Sequence, residues 1–374
     1  MNQRDRVFRE WGLTDNPFIS LPPHLEEDRK HVFTGRHNEI GLLKNMTTRP
    51  RGMFLVGMFG VGKSILVLET LRQLREQGRL ALYAKYNRHD GFLLSILRHM
   101  CRDYHYYNPP VVNTLLDRAT ETHNSLHGLT DLLEVIATHS GPMTLVVDDL
   151  DKESDLGSID NIVLETRQLI ELGCAVVLLG HPVGVTAELS SSADILHPVP
   201  LGPLSESELV EMMGKYLSLG RKEDISIPDS THPFTPNAAQ VLARGISEFE
   251  LTPRIFNFAS QLLLEQAARD GATEITEHYV VDRWQSIAEN FIVRGLRDED
   301  RQHLEAIYTS GGVVSEDTRH VVQQIGGPFA EYVQVRETLN ELIQRNVLIE
   351  RHQSGKRHLE LNKLLSAKNN KIFR

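Results

Sequence analysis

The chain has 374 residues, of which 40% are hydrophobic and 24% charged, and its formal net charge is −10. This apolar content is enough for two or three packed domains, and no apolar run approaches the roughly 18 residues that cross a bilayer, so we expect a cytoplasmic protein with no membrane partner. The acidic balance argues against a general affinity for nucleic acid, because phosphate binding requires a basic surface.

The order of apolar segments predicts an α/β domain followed by helices. Residues 1–30 hold several prolines and little periodicity, which predicts an N-terminal arm that packs over the domain after it. From 31 to 203, strand-like segments at 53–56, 80–84, 144–148, 174–180 and 196–201 alternate with helix-like ones. This alternation predicts a doubly wound, mostly parallel sheet. Residues 204–294 are helix-like throughout, and the pattern changes again for a C-terminal domain at 295–374.

The segment GMFGVGKS, Gly57 to Ser64, lies between the apolar run MFLV and a long helix-like segment. Its spacing is that of the phosphate-binding loop G-x-x-x-x-G-K-[ST], in which glycines let successive backbone amides face an anion at a helix N-terminus. We therefore predict a site for ATP and Mg²⁺, with Lys63 on the β and γ phosphates and the Ser64 hydroxyl on the metal. The predicted nucleotide-binding residues of the loop are Gly57, Gly60, Val61, Gly62, Lys63, Ser64 and Ile65.

The segment TLVVDDLD follows the third predicted strand and carries the acids that such a loop requires. Asp148 is predicted to hold Mg²⁺ through water, and Asp149 is predicted to polarise the attacking water. The alternative for these acids is a solvated turn after a buried strand. The phosphate loop favours the metal site, because a triphosphate needs both a metal and an oriented water.

Together these motifs resemble the AAA+ ATPases, and within them the ExeA, MuB and TnsC group and the origin-recognition and helicase-loader clade. WGLTDNPF, HVFTGRHNEIGLL and LLGHPVGVTAEL carry the ExeA-like part of this resemblance. The resemblance implies that His181 is the polar sensor after the fourth strand and that Arg254 reaches the γ phosphate from a helical lid. The alternative for His181 is a structural histidine, and the alternative for Arg254 is an exposed arginine at a helix start. The resemblance also implies that Phe33, Gly35 and Arg36 border the adenine.

Two features depart from the AAA+ pattern. Asp149 stands where the family usually has glutamate, and a carboxylate one methylene shorter predicts slow hydrolysis. No arginine occurs between His181 and Gly220, the region where the family places the finger that acts on a neighbouring subunit. Arg167 and Arg221 are the nearest candidates. ATP used mainly as a structural switch is therefore an alternative to ATP used as fuel.

The C-terminal segment is the basic part of the chain. From Arg336 onward there are nine lysines and arginines against four glutamates, a local charge of +5, so the residues before it carry −15. Three helix-like segments followed by two short strands resemble a winged helix, which predicts DNA contacts from Arg336, Arg351, Lys356 and Arg357. The alternative is a winged helix that contacts protein, since glutamates also occur in the third helix.

The leading hypothesis from the sequence is an ATP-binding and hydrolysing switch that forms homo-oligomers, associates with DNA and has a protein partner. The second is a nucleotide-gated signalling platform that recruits a protein without binding DNA. A small-molecule kinase is a weaker third, because it would leave the lid and the C-terminal domain unexplained.

Overall fold

The computed structural model describes residues 2–18, 32–104, 143–150, 156–181, 189, 192, 194–221, 227–294, 296–309, 313–315, 332–353 and 356–366. The chain divides into two compact units. The first comprises Met1–Gly35, Phe59–Val61 and Pro203–Arg374, and the second comprises Arg36–Met58 and Gly62–Gly202. Among the described residues, no helix combines the length and the apolar character that a membrane span requires.

The described part of the chain up to residue 200 contains five helices and five strands. They are α1 (Gln3–Glu10), α2 (His37–Met46), β1 (Arg51–Val56), α3 (Lys63–Glu76), β2 (Ala81–Lys85), α4 (Phe92–Tyr104), β3 (Thr144–Asp148), α5 (Leu156–Glu171), β4 (Ala175–Gly180) and β5 (Leu196–Pro200).

The remaining described elements belong to the first unit. They are α6 (Glu206–Leu219), α7 (Pro236–Glu248), α8 (Pro253–Asp270), α9 (Glu277–Val281), α10 (Trp284–Val293), α11 (Asp298–Thr309), β6 (Val313–Ser315), α12 (Tyr332–Gln344), β7 (Leu348–Gln353), β8 (Lys356–Leu361) and α13 (Lys363–Ser366).

The second unit is built on a five-stranded sheet of order β2-β3-β4-β1-β5, in which every neighbouring pair is parallel. Strand β1 lies inside the sheet, and Met53, Phe54 and Leu55 are fully buried. A parallel strand covered on both faces needs such a continuous apolar run rather than alternation. The predicted α/β class, a parallel sheet with flanking helices, is confirmed.

Helix α3 follows the phosphate loop and buries one face. Its buried apolar residues are Leu66, Val67, Leu71 and Leu74, a spacing that repeats every three to four residues as a helix requires. Glu69 is also buried, where it accepts hydrogen bonds from Arg72 and Gln73 within the same helix. These local pairs stabilise a carboxylate that burial would otherwise destabilise.

The five helices described between 206 and 293 form the core of the first unit, in the region predicted as an all-α lid. Helix α6 begins with a capping box, in which the Ser205 side chain and the Glu208 side chain bind each other's backbone amides; this arrangement satisfies two amides at the helix start. Helix α8 begins at Pro253 and ends at Asp270, and the cap residue Gly271 has the left-handed conformation, which is a common stop signal for a helix.

The N-terminal arm corrects one expectation. Residues 3–10 form the helix α1, which packs on α8 with Val7, Phe8 and Trp11 buried. The Trp11 Nε1–H donates to the Thr273 carbonyl oxygen at 2.8 Å. The expectation of little periodicity is therefore wrong for residues 3–10, because apolar residues at i, i+1 and i+4 already form one helix face. The packing of the arm over the α/β domain stays a prediction. Residues 19–31 of the arm lie outside the described part of the chain.

The C-terminal part of the first unit contains α11, α12 and an antiparallel sheet of order β6-β8-β7. The predicted first and third helices and the predicted hairpin correspond to α11, α12 and the β7–β8 pair. Most of the predicted second helix, 315–326, lies outside the described residues, and Ser315 is in β6, a strand that was not predicted. The winged-helix assignment stays a prediction.

Candidate functional site

Residues 57–62 connect β1 to α3 and form the phosphate loop. Gly60 and Gly62 have φ of 80° and 105°, values that residues with a Cβ rarely adopt. Gly62 is the N-cap of α3 and supplies no side-chain cap to the first turn. The positive end of a 14-residue helix therefore lies at the end of the loop, which is favourable for an anion.

Lys63 is the first residue of α3, and its ammonium group turns back into the loop. The Nζ atom donates to the Gly57 carbonyl oxygen at 2.6 Å and to the Met58 carbonyl oxygen at 3.3 Å. This position keeps the charge inside the curve of the loop backbone. The loop therefore carries a cation at the point where the sequence predicts phosphate oxygens.

Asp148 ends β3 and meets Ser64 of α3. The Ser64 Oγ donates to Asp148 Oδ2 at 2.6 Å, and the backbone N–H of Asp149 donates to Asp148 Oδ1 at 2.7 Å. A hydroxyl and a buried carboxylate in contact are the hard oxygen ligands that Mg²⁺ prefers. The residues present therefore fit a magnesium nucleotide, with Lys63 and the α3 N-terminus for phosphate and with Ser64 and Asp148 for the metal.

Two residues of β2, which the sequence analysis did not identify, also reach these acids. The Tyr83 hydroxyl donates to Asp148 Oδ2 at 2.5 Å, and burial together with the Asp148 charge raises the pKa of Tyr83 above its usual range. The Lys85 Nζ lies 4.0 Å from Asp149 Oδ2. Tyr83 and Lys85 are two residues apart in β2, so their side chains lie on the same face of the strand. The sequence shows this spacing, but only the pairing of β2 with β3, which places Lys85 opposite Asp148, shows that the two side chains lie near the acids.

Asp149 has a φ of 65°, in the left-handed region where aspartate is tolerated better than most residues with a side chain. Its side chain is 28% exposed, whereas Asp148 is 8% exposed as a residue. The two neighbouring acids therefore differ in their access to water. The role of Asp149 in polarising a water stays a prediction.

His181 directly follows β4, the strand between β3 and β1. The Gly57 N–H donates to the Gly180 carbonyl oxygen at 3.3 Å, so the end of β4 lies beside the first residue of the loop. The His181 side chain is 1% exposed. The fold thus brings the predicted sensor histidine to the same edge of the sheet as the loop and Asp148.

Arg254 is the second residue of α8 in the first unit, with which the loop residues 59–61 also group. Its guanidinium carbon lies 4.6 Å from the centre of the Phe59 ring, a cation–π distance. A Cβ added at Gly60 would lie 2.8 Å from the Arg254 Cβ. Arg254 therefore packs on the tip of the loop, and Phe59 is a further contact that the sequence analysis missed.

Two of the three residues predicted to border the adenine form hydrogen bonds within the protein. The Phe33 carbonyl oxygen accepts from Lys215 Nζ at 2.6 Å in the first unit. In the second unit, Arg36 Nη1 donates to Glu39 at 3.2 Å and Nη2 donates to the Gly202 carbonyl oxygen at 2.5 Å. Gly35 has a φ of 63°. The prediction that these residues border an adenine stays a prediction.

The two candidate finger arginines have different environments. Arg167 forms an exposed ion pair with Asp194 at 3.4 Å. Arg221 donates from Nη2 to the His232 carbonyl oxygen, and burial lowers its pKa. An arginine that acts on another subunit has to be accessible, and this favours Arg167 of the two.

Of the four predicted DNA contacts, the side chain of Arg351 is described. Its Nη2 lies 2.5 Å from Glu250 Oε1 and its Nε lies 3.5 Å from Glu360 Oε2. The side chains of Arg336, Lys356 and Arg357 lie outside the described part of the structure. Arg351 is therefore held by two carboxylates of its own unit.

Structural similarity to known proteins is broad and distant. The chain is similar to the Aeropyrum pernix ORC1 protein solved in complex with DNA, with 17% identity, a TM-score of 0.48 and 96% of each chain covered. It is also similar to the Cdc6p protein of Pyrobaculum aerophilum, with 16% identity, a TM-score of 0.45 and coverage of 97% of this chain and 96% of that one. For the Thermotoga maritima RuvB Holliday junction branch migration motor the values are 14%, 0.47, 90% and 96%.

Sequence similarity is limited to the part of the chain that contains the loop. A search among curated proteins finds no match to this chain. Residues 32–172 match the family described as the AAA ATPase domain. That segment includes β1, the phosphate loop, Ser64, Asp148 and Asp149. Residues 32–172 are thus similar to an AAA ATPase domain, and strands β4 and β5 of the five-stranded parallel sheet follow that segment.

Proposed function

We propose that this protein is an ATP-dependent molecular switch that binds and slowly hydrolyses Mg-ATP at the phosphate loop. The observation that carries the proposal is the 2.6 Å contact between the Ser64 hydroxyl and the Asp148 carboxylate beside the Lys63 ammonium. Residues 84 positions apart in the chain have no local reason to meet there. A metal-binding pair next to an anion-binding loop is the arrangement that a magnesium nucleotide requires.

Each residue has a distinct part in this proposal. Lys63 and the amides at the start of α3 bind phosphate oxygens, and Ser64 and Asp148 hold the metal. Mg²⁺, when bound, neutralises phosphate charge that would otherwise repel an attacking water. Asp149 orients that water, His181 senses the phosphate from the end of β4, and Arg254 contacts the γ phosphate from the start of α8.

Slow hydrolysis follows from the second acid. The Asp149 carboxylate is one methylene shorter than the glutamate usual in AAA+ enzymes, and a displacement of about 1 Å costs on the order of 100-fold in rate. Bound ATP then persists long enough to act as a conformational signal. ATP shifts the population towards the state that binds it more tightly, and in this proposal that state is a homo-oligomer.

DNA association is proposed through the C-terminal domain, with a protein partner completing the assembly. The support is the local charge of +5 from Arg336 to the end of the chain. Lys356 and Arg357 are the first two residues of β8. Arg336 is in α12. Lysines and arginines of this kind contact phosphate without reading sequence.

A second function, a nucleotide-gated platform that recruits a protein without DNA, is favoured by one observation. The Arg351 guanidinium is paired with Glu250 and Glu360, so one of the four predicted DNA contacts has its charge compensated within its own unit. A surface whose cations are already paired gains less from phosphate, because each pair must be broken first.

Calorimetry with Mg-ATP on the full chain tests the nucleotide part. We expect heat of association at micromolar to submillimolar ATP, and no heat at millimolar ATP would overturn the proposal. Binding to duplex DNA, measured over a salt series with and without ATP, separates the two functions. ATP-stimulated binding with a steep salt dependence supports the DNA-associated switch, whereas no binding at low salt supports the protein-recruiting platform.

A further inference from the structure

Tyr83 is a residue outside the phosphate-loop pattern that touches the predicted metal site. It lies in β2, and its hydroxyl donates to Asp148 Oδ2 at 2.5 Å. The Ser64 hydroxyl donates to the same oxygen at 2.6 Å. One carboxylate oxygen therefore receives two O–H donors, from the strand beside it in the sheet and from the helix after the loop.

Among the described residues, three donors hold both oxygens of the Asp148 carboxylate. The backbone N–H of Asp149 donates to the other oxygen, Oδ1, at 2.7 Å. A carboxylate offers about four lone-pair positions. Donors from the described part of the chain occupy three of them, which leaves about one for a water bound to a metal. Because the donors approach both oxygens, they oppose rotation of the carboxylate about its Cβ–Cγ bond and direct the remaining position.

The Tyr83 donor differs from the Ser64 donor in its independence from the loop. Ser64 is itself a predicted ligand of the metal, so its position depends on the loop and on the nucleotide. Tyr83 is fixed by β2, whose register with β3 places Lys85 opposite Asp148. The hydroxyl of Tyr83 therefore restrains the carboxylate before any ligand arrives.

We propose that Tyr83 is a positioning residue that orients the Asp148 carboxylate for the Mg²⁺ of a bound nucleotide. This inference rests on the proposed function of the phosphate loop. Groups that hydrogen-bond to a metal-binding residue set its orientation, and their removal typically weakens metal affinity by about 10-fold to 100-fold. A phenylalanine at position 83 would keep the ring in place and remove only the donor.

The test is binding of a fluorescent ATP analogue to the full chain at a series of Mg²⁺ concentrations. For Tyr83→Phe we expect the Mg²⁺ concentration that gives half-maximal binding to rise about tenfold, with unchanged affinity for the analogue in the absence of Mg²⁺. Tyr279→Phe is the matched control, because the Tyr279 hydroxyl also donates to an aspartate, Asp270 Oδ2 at 2.8 Å, but in the first unit. We expect the control to leave the Mg²⁺ requirement unchanged.

A double-mutant cycle asks whether Tyr83 acts through Asp148. In an Asp148→Asn background, Tyr83→Phe should cause no further rise in the Mg²⁺ requirement, because the carboxylate it orients is already gone. An additional tenfold rise in that background would overturn the inference, since Tyr83 would then act on another group.

Two further outcomes contradict the inference. One is a Tyr83→Phe protein with the Mg²⁺ requirement of the wild type. The other is a folded Tyr83→Phe protein that binds the analogue more weakly in the absence of Mg²⁺ as well, because Tyr83 would then support the nucleotide site itself rather than the metal. Failure of the proposed function is distinguished by the wild-type protein alone, which would then bind no ATP analogue with or without Mg²⁺.

Discussion

At the end of β3 the carboxylate of Asp148 is held by two hydroxyls and an amide, whereas on β7 the guanidinium of Arg351 is held by two carboxylates. Neutral donors orient a charge without cancelling it, so the charge stays available to a ligand. Oppositely charged partners cancel it and favour a structural contact. The three donors at the end of β3 therefore leave the Asp148 charge uncompensated, whereas the hairpin pairs the Arg351 charge within its own unit.

The variant with the largest expected effect removes the cation of the phosphate loop. Lys63→Ala should weaken Mg-ATP binding by on the order of 100-fold or more, because two charge-assisted hydrogen bonds to phosphate are lost. Calorimetry measures the change. Lys44→Ala is the control, because it also removes a lysine, but one whose Nζ donates from α2 to the Gln73 side chain of α3 at 3.2 Å. Equal ATP affinity in the Lys63→Ala and wild-type proteins would contradict the site.

The second prediction separates the two neighbouring acids. Asp149→Asn should keep Mg-ATP binding and lower the ATPase rate by on the order of 100-fold, because the amide no longer accepts a proton from water. The rate is measured by phosphate release. Asp160→Asn, an exposed position on α5, serves as the control. An unchanged rate in Asp149→Asn would remove Asp149 from the proposed mechanism.

The third prediction distinguishes loop geometry from general stability. Gly62 and Gly78 have φ of 105° and 75°, and a Cβ at either would meet nothing within 4 Å. Alanine at either position should lower the free energy of unfolding by about 1–2 kcal/mol through the same backbone strain. Of these two variants, only Gly62→Ala should also weaken Mg-ATP binding, by about tenfold, because Gly62 lies in the phosphate loop and Gly78 does not.

Denaturant titration and calorimetry on the two glycine variants provide the measurements. Equal losses of ATP affinity would show that strain anywhere in the unit affects the loop, against the local role of Gly62.

The smallest expected effect concerns the paired cation of the hairpin. Glu250→Gln should change the free energy of unfolding by less than about 1 kcal/mol, because both partners of the Arg351 ion pair are part-exposed. If the C-terminal domain binds DNA, removing one of the two carboxylate partners of Arg351 should strengthen binding by roughly twofold to fivefold and increase the salt slope by up to about one unit. Fluorescence anisotropy with duplex DNA measures both quantities.

The control for the hairpin prediction is Glu206→Gln, which removes the partner of Arg244 in another exposed pair at 3.9 Å. A lack of DNA binding by the wild type and by Glu250→Gln alike would favour the protein-recruiting platform over the DNA-associated switch.

The α/β part of the fold was predictable because its signals are local. Met53, Phe54 and Leu55 form an apolar run, and the glycines and Lys63 follow at once. The helix α1 was missed although its apolar residues have helical spacing, because residues 1–30 were interpreted as one segment on the basis of the prolines that follow the helix. Strand β6 was missed because three residues carry too little periodicity to distinguish a strand from a loop.

The candidate site was predictable only in part. The phosphate-loop spacing and the acids after a buried strand identify Lys63, Ser64 and Asp148 as candidates, since each lies in a recognisable pattern. Tyr83 and Lys85 lie in an ordinary strand, and their meaning depends on which strand lies beside β2. The sequence contains no local statement of that pairing, because β2 and β3 are separated by a segment of about sixty residues.

The local sequence was sufficient to predict the features that depend on neighbouring residues: the phosphate loop, the start of α3 and the buried strands around them. Backbone sterics and hydrophobic burial act over a few residues, so they are legible in the chain. The packing of the folded chain determines which hydroxyls meet Asp148 and which carboxylates meet Arg351. Those contacts join residues from 9 to 101 positions apart, and hydrogen bonds and ion pairs at such separations depend on strand order and packing rather than on local sequence.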